Sequence, residues 1–554
     1  MRPTTANRQN ALVAVPSRQR LLLFLLVLLS APGLRAQDVL TYHNDNARSG
    51  LNPAETTLTP ANVNWTEFGL LFVVPVDGQV YAQPLYASGV IFPNSSVHDV
   101  LIVATEHDSV FAVDAVNGAL LWHTSTVGAG ETPSDDRGCD QISPEIGITS
   151  TPVIDRSSGP HGTVYVVAMS KDASSNYHQR LHALDLTTGA EEFGGPREIQ
   201  ARYPGTGDNS SDGYVIFDPA QYKERAGLLL LNHVIYTGWA SHCDHRPYTG
   251  WLIGYDEHTL AQTTVLNITP NGSQGAIWQS GCGLAADSDG YIYFLDGNGT
   301  FDTTLNAQGF PNQGDYGNAF MKLSTAGGRL SVADYFNMWN TVDESDRDVD
   351  LGSGGAVLLP DMIDAFGKTR KLAVGVGKDA KIYLVDRDNM GKFNPDTNNI
   401  YQEVDGVLSG EWDSPAYSIL SSGEDGTTTV NVTLYYGGDT NHLKAFQFSK
   451  ARLSSILASE GAESFPYPGV TPSVSSNGTL NGIVWASGHT SPAVLHAYDA
   501  TNLANELYNS NQAPKGRDRF GNGNKFIPPM ISHGRVYVGT VTSGVGVFGL
   551  LHAK

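Results

Sequence analysis

Apolar and polar side chains alternate through residues 110–122, VFAVDAVNGALLW, on either side of a polar hinge running from Asp114 to Gly118. Val110 and Ala112 before the hinge and Leu120 and Leu121 after it predict two strands. The pair Asn117-Gly118 predicts a two-residue turn with positive φ between them. The phrase returns in LHALDLTTGAEEF (181–193) and LIGYDEHTLAQTTV (252–265), with its aspartates evenly spaced at Asp114, Asp185 and Asp256. A hairpin repeated at this period predicts a β-propeller or a related array.

From residue 80 onward the alternation resolves into units of short strands at 80–125, 151–196, 228–267, 283–336, 356–389, 415–457, 471–510 and 528–551. The fourth is loose, its third strand displaced by the insert 301–318. The last has three strands and stops one short, while FGLLFVVPVDG (68–78) near the N-terminus has no hairpin partner before it. The expected fold is therefore all-β: an eight-bladed β-propeller of four-stranded antiparallel blades, its ring closed by that N-terminal strand, which removes the exposed edges of an open array. Seven blades is the alternative, if the fourth unit is an insertion. Three segments are expected: a signal peptide at 1–36, an extended arm at 37–65 that wraps on the body, and a single propeller at 66–554.

Composition agrees with many strands and turns: 60 glycines, 28 prolines and only 16% charged residues. The formal charge of −22 excludes the basic footprint that nucleic acid or an anionic membrane requires. Arg18 and Arg20 precede an apolar run at 21–29 and a small-residue region ending at Ala36, the pattern of an export signal too short to span a bilayer. The expected product is a secreted or periplasmic monomer without a membrane span. In such a compartment the three cysteines allow one bridge, expected between Cys139 and Cys243, with Cys282 a buried small residue.

Chain direction places the tight Asp114–Gly118 type of turn on one face. The long connections 128–149, 200–226, 337–352 and 394–413 open on the other, where irregular loops on a rigid barrel gather ligand-binding residues. A small molecule, a glycan or a protein is expected in the axial funnel there. The connections between second and third strands bring Glu106, His107, His242 beside Trp239, Lys378, Asp439, His442 and His489 to one rim. A second set stands just ahead of each innermost strand: Gln83, Glu145, Trp278 with Gln279, Asp348, Asp350, Glu411, Asp413 and Lys525. Carboxylates converging with amide oxygens suit Ca²⁺, a hard cation with six to eight oxygen ligands.

The sequence Ala112-Val113-Asp114-Ala115-Val116-Asn117-Gly118 with Trp122, repeated from Ala183 to Gly189 and echoed from Ala497 to Asn502, resembles the pyrroloquinoline-quinone (PQQ) repeat of quinoprotein alcohol dehydrogenases. The resemblance spans the expected propeller and implies blades that interlock through the tryptophan. It also implies PQQ and Ca²⁺ as cofactors, with Glu145, Asn298 and Asp350 as metal ligands and base, and Asp350, Glu145 and His107 as catalytic candidates. The adjacent cysteines of that family are absent, as is a Cys-x-x-Cys-His motif, so no haem is expected. Fold does not fix function. Three readings stay open: a ligand-binding propeller without a quinone, a PQQ- and calcium-dependent alcohol or sugar dehydrogenase, and an extracellular polymer hydrolase or lyase.

Overall fold

The computed structural model describes residues 38–422, 429–542 and 544–551, so the expected export signal lies outside the described residues. Among them the chain forms eight sheets of four to six strands. The first is a meander of Leu85–Ile91, Val97–Ala104, Ser109–Asp114 and Leu120–Ser125, each strand antiparallel to the next. The following sheets repeat this plan in chain order, beginning at Val153–Asp155, Leu229–Leu231, Ala285–Ala286, Val357–Leu358, Ala416–Ser422, Ser473–Asn477 and Met530–Ser532. Phe68–Val74 pairs antiparallel with Val545–Leu550, so the last sheet takes its fourth strand from the N-terminal region. Among the described residues no helix is long and apolar enough to cross a membrane.

The repeated turn differs from its expected form. Only Gly118 has positive φ, at 74°, and its N–H donates to the Asp114 carbonyl at 2.8 Å. The Asp114 carboxylate accepts from the backbone N–H groups of Val116 and Asn117 at 2.9 and 3.1 Å. Asp185 does the same for Thr187 and Thr188, and Asp256 for His258 and Thr259. The aspartate of the repeat is therefore a turn cap that substitutes a side-chain oxygen for a backbone one. Trp122 interlocks neighbouring sheets as expected: its indole N–H donates to the Leu186 carbonyl at 2.9 Å, and its ring lies against Gly189, where a Cβ would come within 2.5 Å.

Three outer strands depart from the sequence pattern. In the second sheet the outer pair is Arg197–Glu198, reached after a single bridge from Glu191 to Leu184. In the fifth, Gln402–Val404 supplies a fourth strand inside a connection that reads as loop. In the sixth, the apolar 453–457 gives way to Ser459–Phe465, which pairs with Asn441–Ser449. The long connections also carry structure: Glu131–Asp135 and Glu145–Ile146 extend the second sheet, and Tyr222–Glu224 pairs with the far half of Val234–Ser241.

The segment ahead of Phe68 crosses the first strand of every sheet in turn. Val39 exchanges two backbone bonds with Tyr86, and the Leu40 carbonyl accepts from Ile154. Asn46 reaches the Leu230 carbonyl and its own carbonyl accepts from Ala286, followed by Ala47 with Leu358 and Ser49 with Tyr417. Leu51–Asn52 then pairs parallel with Ser473–Asn477, and the Asn52 side chain donates to the Ile531 carbonyl. Arg48 is fully buried within this path, donating to the carbonyl oxygens of Leu228 and Leu284.

Candidate functional site

Residues from the long connections and the strand entries converge on one pocket. Asn298, Asp350 and Lys378, all expected in the funnel, do meet here. Asp350 is 2% exposed, and its Oδ1 lies 2.7 Å from the Lys378 ammonium, which also bonds Asp348. Burial pushes the Asp350 carboxyl up against the pull of Lys378. Burial works against the Lys378 charge too, but the two acids outweigh it and hold the ammonium above its ordinary value.

Aromatic rings form much of the remaining wall: Trp278, Trp412, Tyr467 and Phe526. Trp412 and Tyr467 meet edge to face with centroids 5.4 Å apart. Gln141 and Asp244 complete one side, and each stands close in sequence to a cysteine of the observed Cys139–Cys243 disulfide, whose Cα atoms are 5.6 Å apart. The bridge ties two pocket-wall segments that are far apart in sequence. Cys282 is free and buried.

Solved structures with this arrangement of sheets include alcohol dehydrogenases. The chain superposes on a quinohemoprotein alcohol dehydrogenase from Comamonas testosteroni with a TM-score of 0.57 at 14% identity, covering 94% of this chain and 81% of that one. A quinohemoprotein alcohol dehydrogenase from Pseudomonas putida HK5 gives 0.56 at 12%, covering 93% and 80%. A europium-containing methanol dehydrogenase gives 0.56 at 12%, covering 93% and 98%. The fold is that of a quinoprotein-like β-propeller. No protein-family model and no curated protein sequence matches the chain.

The propeller's expected calcium set does not assemble. The Glu145 carboxylate is outside the pocket wall and accepts from the His107 ring at 3.0 Å. Asp350 is neutralised by Lys378, and Asn298 donates its amide to Asp348 at 3.4 Å. Among the described residues no three acid, histidine or cysteine side chains converge as metal ligands. These donors do not fit a divalent cation.

Several expected ligand contacts are corrected by burial. Trp239 is fully buried, its indole N–H donating to Thr237 at 2.9 Å and its ring edge-on to Phe217, so it is core. Gln83 is engaged by the crossing segment, its Oε1 accepting from His43 N–H at 2.9 Å. Gln279 is buried beneath the pocket, where the Leu295 N–H approaches it at 3.4 Å. Asp413 is buried with Glu411, and burial raises both carboxyls, Asp413 to about 7. Glu106 is buried as well, accepting from Gly147 N–H and the Thr149 hydroxyl.

The rim histidines do not form the pocket wall. His107 is half exposed beside Glu145, and His442 bonds the Glu463 carbonyl at 3.0 Å. His489 is exposed at the rim, and Asp439 is partly buried there. His242 is buried with both ring nitrogens unpartnered, and burial, then Lys223 and Arg137, lower it to about 3. Of the set expected ahead of the innermost strands, Trp278 and Lys525 also line the pocket, whereas Trp412, Arg225 and Phe526 are wall residues that sequence reasoning missed. Trp412 sits one position from the expected Glu411 and Asp413.

Proposed function

We propose that the chain is an exported quinoprotein-like propeller, eight-bladed and closed by its N-terminal strand, that binds a small molecule in its axial funnel. Residues 1–36 are its export signal, 37–65 its arm and 66–554 the propeller, which acts as a monomer. The observation that carries this reading is one pocket holding the buried Asp350–Lys378 pair among Trp278, Trp412 and Phe526. Convergent polar groups in an aromatic cleft are the usual construction of a ligand site.

A second reading, a PQQ-dependent alcohol or sugar dehydrogenase, is favoured by the chemistry of that pair. A buried carboxylate beside a fixed ammonium is able to take a proton from a substrate hydroxyl while the ammonium balances the charge. Trp278, Arg225 and Lys525 would hold the quinone, which when bound supplies a two-electron acceptor.

Titrating the purified protein with PQQ, while recording absorption, tryptophan fluorescence and dye-coupled oxidation of alcohols and sugars, separates the readings. A saturable quinone spectrum with turnover establishes the dehydrogenase. Saturable small-molecule binding without turnover establishes the binding propeller, and a funnel that no small molecule occupies overturns both.

A further inference from the structure

Eight Asn-x-Ser/Thr triplets stand in the sequence. A glycan attached to such an asparagine is bulky and hydrophilic, so the amide that carries it has to face water in the folded protein. Four triplets belong to the connections that open on the funnel, and none of them offers a free amide. Asn298 lines the pocket and gives its amide to Asp348, and Asn267 is buried with its amide on the Thr249 hydroxyl at 2.8 Å. Asn209 donates to the Ile216 carbonyl at 2.8 Å and Asn271 to the Gln313 carbonyl at 2.7 Å. Asn431 is half-buried within a strand, opposite Leu420.

The other three stand at the opposite end of the sheets, where the tight turns are. Asn94 is exposed in the turn from Leu85–Ile91 to Val97–Ala104. Its Oδ1 accepts from the Ser96 N–H and hydroxyl at 2.9 and 2.7 Å, and its own amide N–H groups have no partner among the described residues. Asn64 holds Thr66 in the same way, at 3.1 and 2.5 Å, and its amide keeps one long bond of 3.3 Å to the Ala61 carbonyl. Asn477 is exposed where Ser473–Asn477 turns into Leu480–Ser487, and its side chain forms no hydrogen bond among the described residues. Backbone bonds tie each position to that end. The Asp99 carbonyl of the first hairpin accepts from Ala115 in the Asp114–Gly118 turn at 2.7 Å, Thr479 from Ser421 of the neighbouring sheet at 3.0 Å, and Glu67 from Leu551 at the close of the last strand at 2.8 Å.

Each of these three amides also has a large apolar side chain left in water beside it. Trp65, 46% exposed, lies inside the first triplet, and Leu480, 57% exposed, directly follows the third. Ile91 and Val97, 65% and 62% exposed, pair across the hairpin that presents Asn94. We infer that Asn64, Asn94 and Asn477 carry N-linked glycans, which clothe the tight-turn end of the sheets, shield this apolar surface and leave the funnel end bare. The inference rests on the reading of the chain as exported, because such triplets are acceptors in secreted proteins. In the transfer, each Nδ2 bonds to the first sugar of a lipid-diphosphate oligosaccharide. The bond from that sugar to the diphosphate breaks, the lipid diphosphate leaves with the electron pair, and the amide gives up one proton.

The test expresses the full chain in a yeast and recovers it from medium and from cells. A glycan amidase then opens the sugar–asparagine bonds in heavy-oxygen water, which marks every occupied asparagine as a labelled aspartate, and the peptides are mapped by mass. Marks are expected at Asn64, Asn94 and Asn477 of the protein in the medium, and none at the four triplets of the funnel end. Ser96→Ala is expected to abolish the mark at Asn94, whereas Ser96→Thr, which keeps the hydroxyl, is expected to retain it. Secreted protein with Asn94 and Asn477 unmarked overturns the inference and leaves the export reading intact. Marks at Asn209 or Asn271 place sugar on the funnel end and overturn it as well. Protein that stays unmarked inside the cells, with none in the medium, removes the export reading together with the inference.

Discussion

The Arg48 guanidinium donates to the Leu284 carbonyl oxygen at 2.8 Å and so fastens the N-terminal segment to the start of the fourth sheet. The same side chain bonds the Leu228 and Tyr42 carbonyls and the Thr41 hydroxyl. Arg48→Met leaves those buried oxygens without their donor and is expected to cost about 3–5 kcal/mol. Denaturant unfolding of the two proteins measures it, and a loss below about 1 kcal/mol would contradict the role given to Arg48.

Phe68 begins the strand that completes the last sheet. It is fully buried, edge-on to Tyr508 at 5.0 Å and tilted against Trp485 at 5.5 Å. Phe68→Ala removes that packing and leaves a cavity, for an expected loss of about 3–5 kcal/mol. Exposed Trp65, just before the strand, is the control: its alanine variant should unfold like the parent.

The contribution of Glu106 to stability should fall as pH rises toward neutrality. Burial raises Glu106 from an ordinary 4.5 to about 7, opposed by its two hydrogen bonds. Below the ordinary value both folded and unfolded chains hold the proton. Between the two values only the folded chain does, so stability present at low pH is lost as pH climbs to about 7, by about 3 kcal/mol for this group. Glu106→Gln should flatten the profile of melting temperature between pH 4.5 and 7 in proportion.

Removing the Cys139–Cys243 bridge opens a loop with a sequence separation of 104. The chain-entropy cost for a loop of that size is about 4–5 kcal/mol. Because Gln141 and Asp244 flank the bridge on the pocket wall, the paired alanine variant should also bind any funnel ligand more weakly. Calorimetry of both proteins with the same ligand checks both effects.

Much of the fold was written in alternation, because each buried strand repeats apolar side chains with a period of two. The outer strand Ser459–Phe465 was hidden: SEGAESF carries too few apolar residues, since only one face is covered, and the neighbouring LSSIL imitates a strand better. The pocket was legible only in part: Trp278, Asn298, Asp350, Lys378 and Lys525 stand in its wall, and most other expected residues do not. Gln279 was read beside Trp278 although only Trp278 lines the pocket, and Glu411 and Asp413 were read in place of Trp412, because a chain entering a strand from an irregular loop offers no pattern that fixes which neighbour faces inward. At Gln279 and Ser280 the backbone even turns left-handed, with φ of 41° and 48°. Trp239 was misread for the same reason within a fully buried strand. Arg225 lay inside a long connection, Lys223-Glu224-Arg225, where the only signal was two cations in an otherwise acidic chain.

The crossing of residues 39–52 over the first strand of every sheet bears on the order of assembly. This segment is synthesised before any of its partners, yet its last contacts, with Ser473–Asn477 and Ile531, form only after nearly the whole chain exists. An open repeat array can fray from one end because each repeat meets only its neighbours. Here a segment that emerges before all of its partners is among the last to settle, and its docking links all the sheets at once, so loss of any one sheet is felt by the others and the molecule should melt as a single cooperative body.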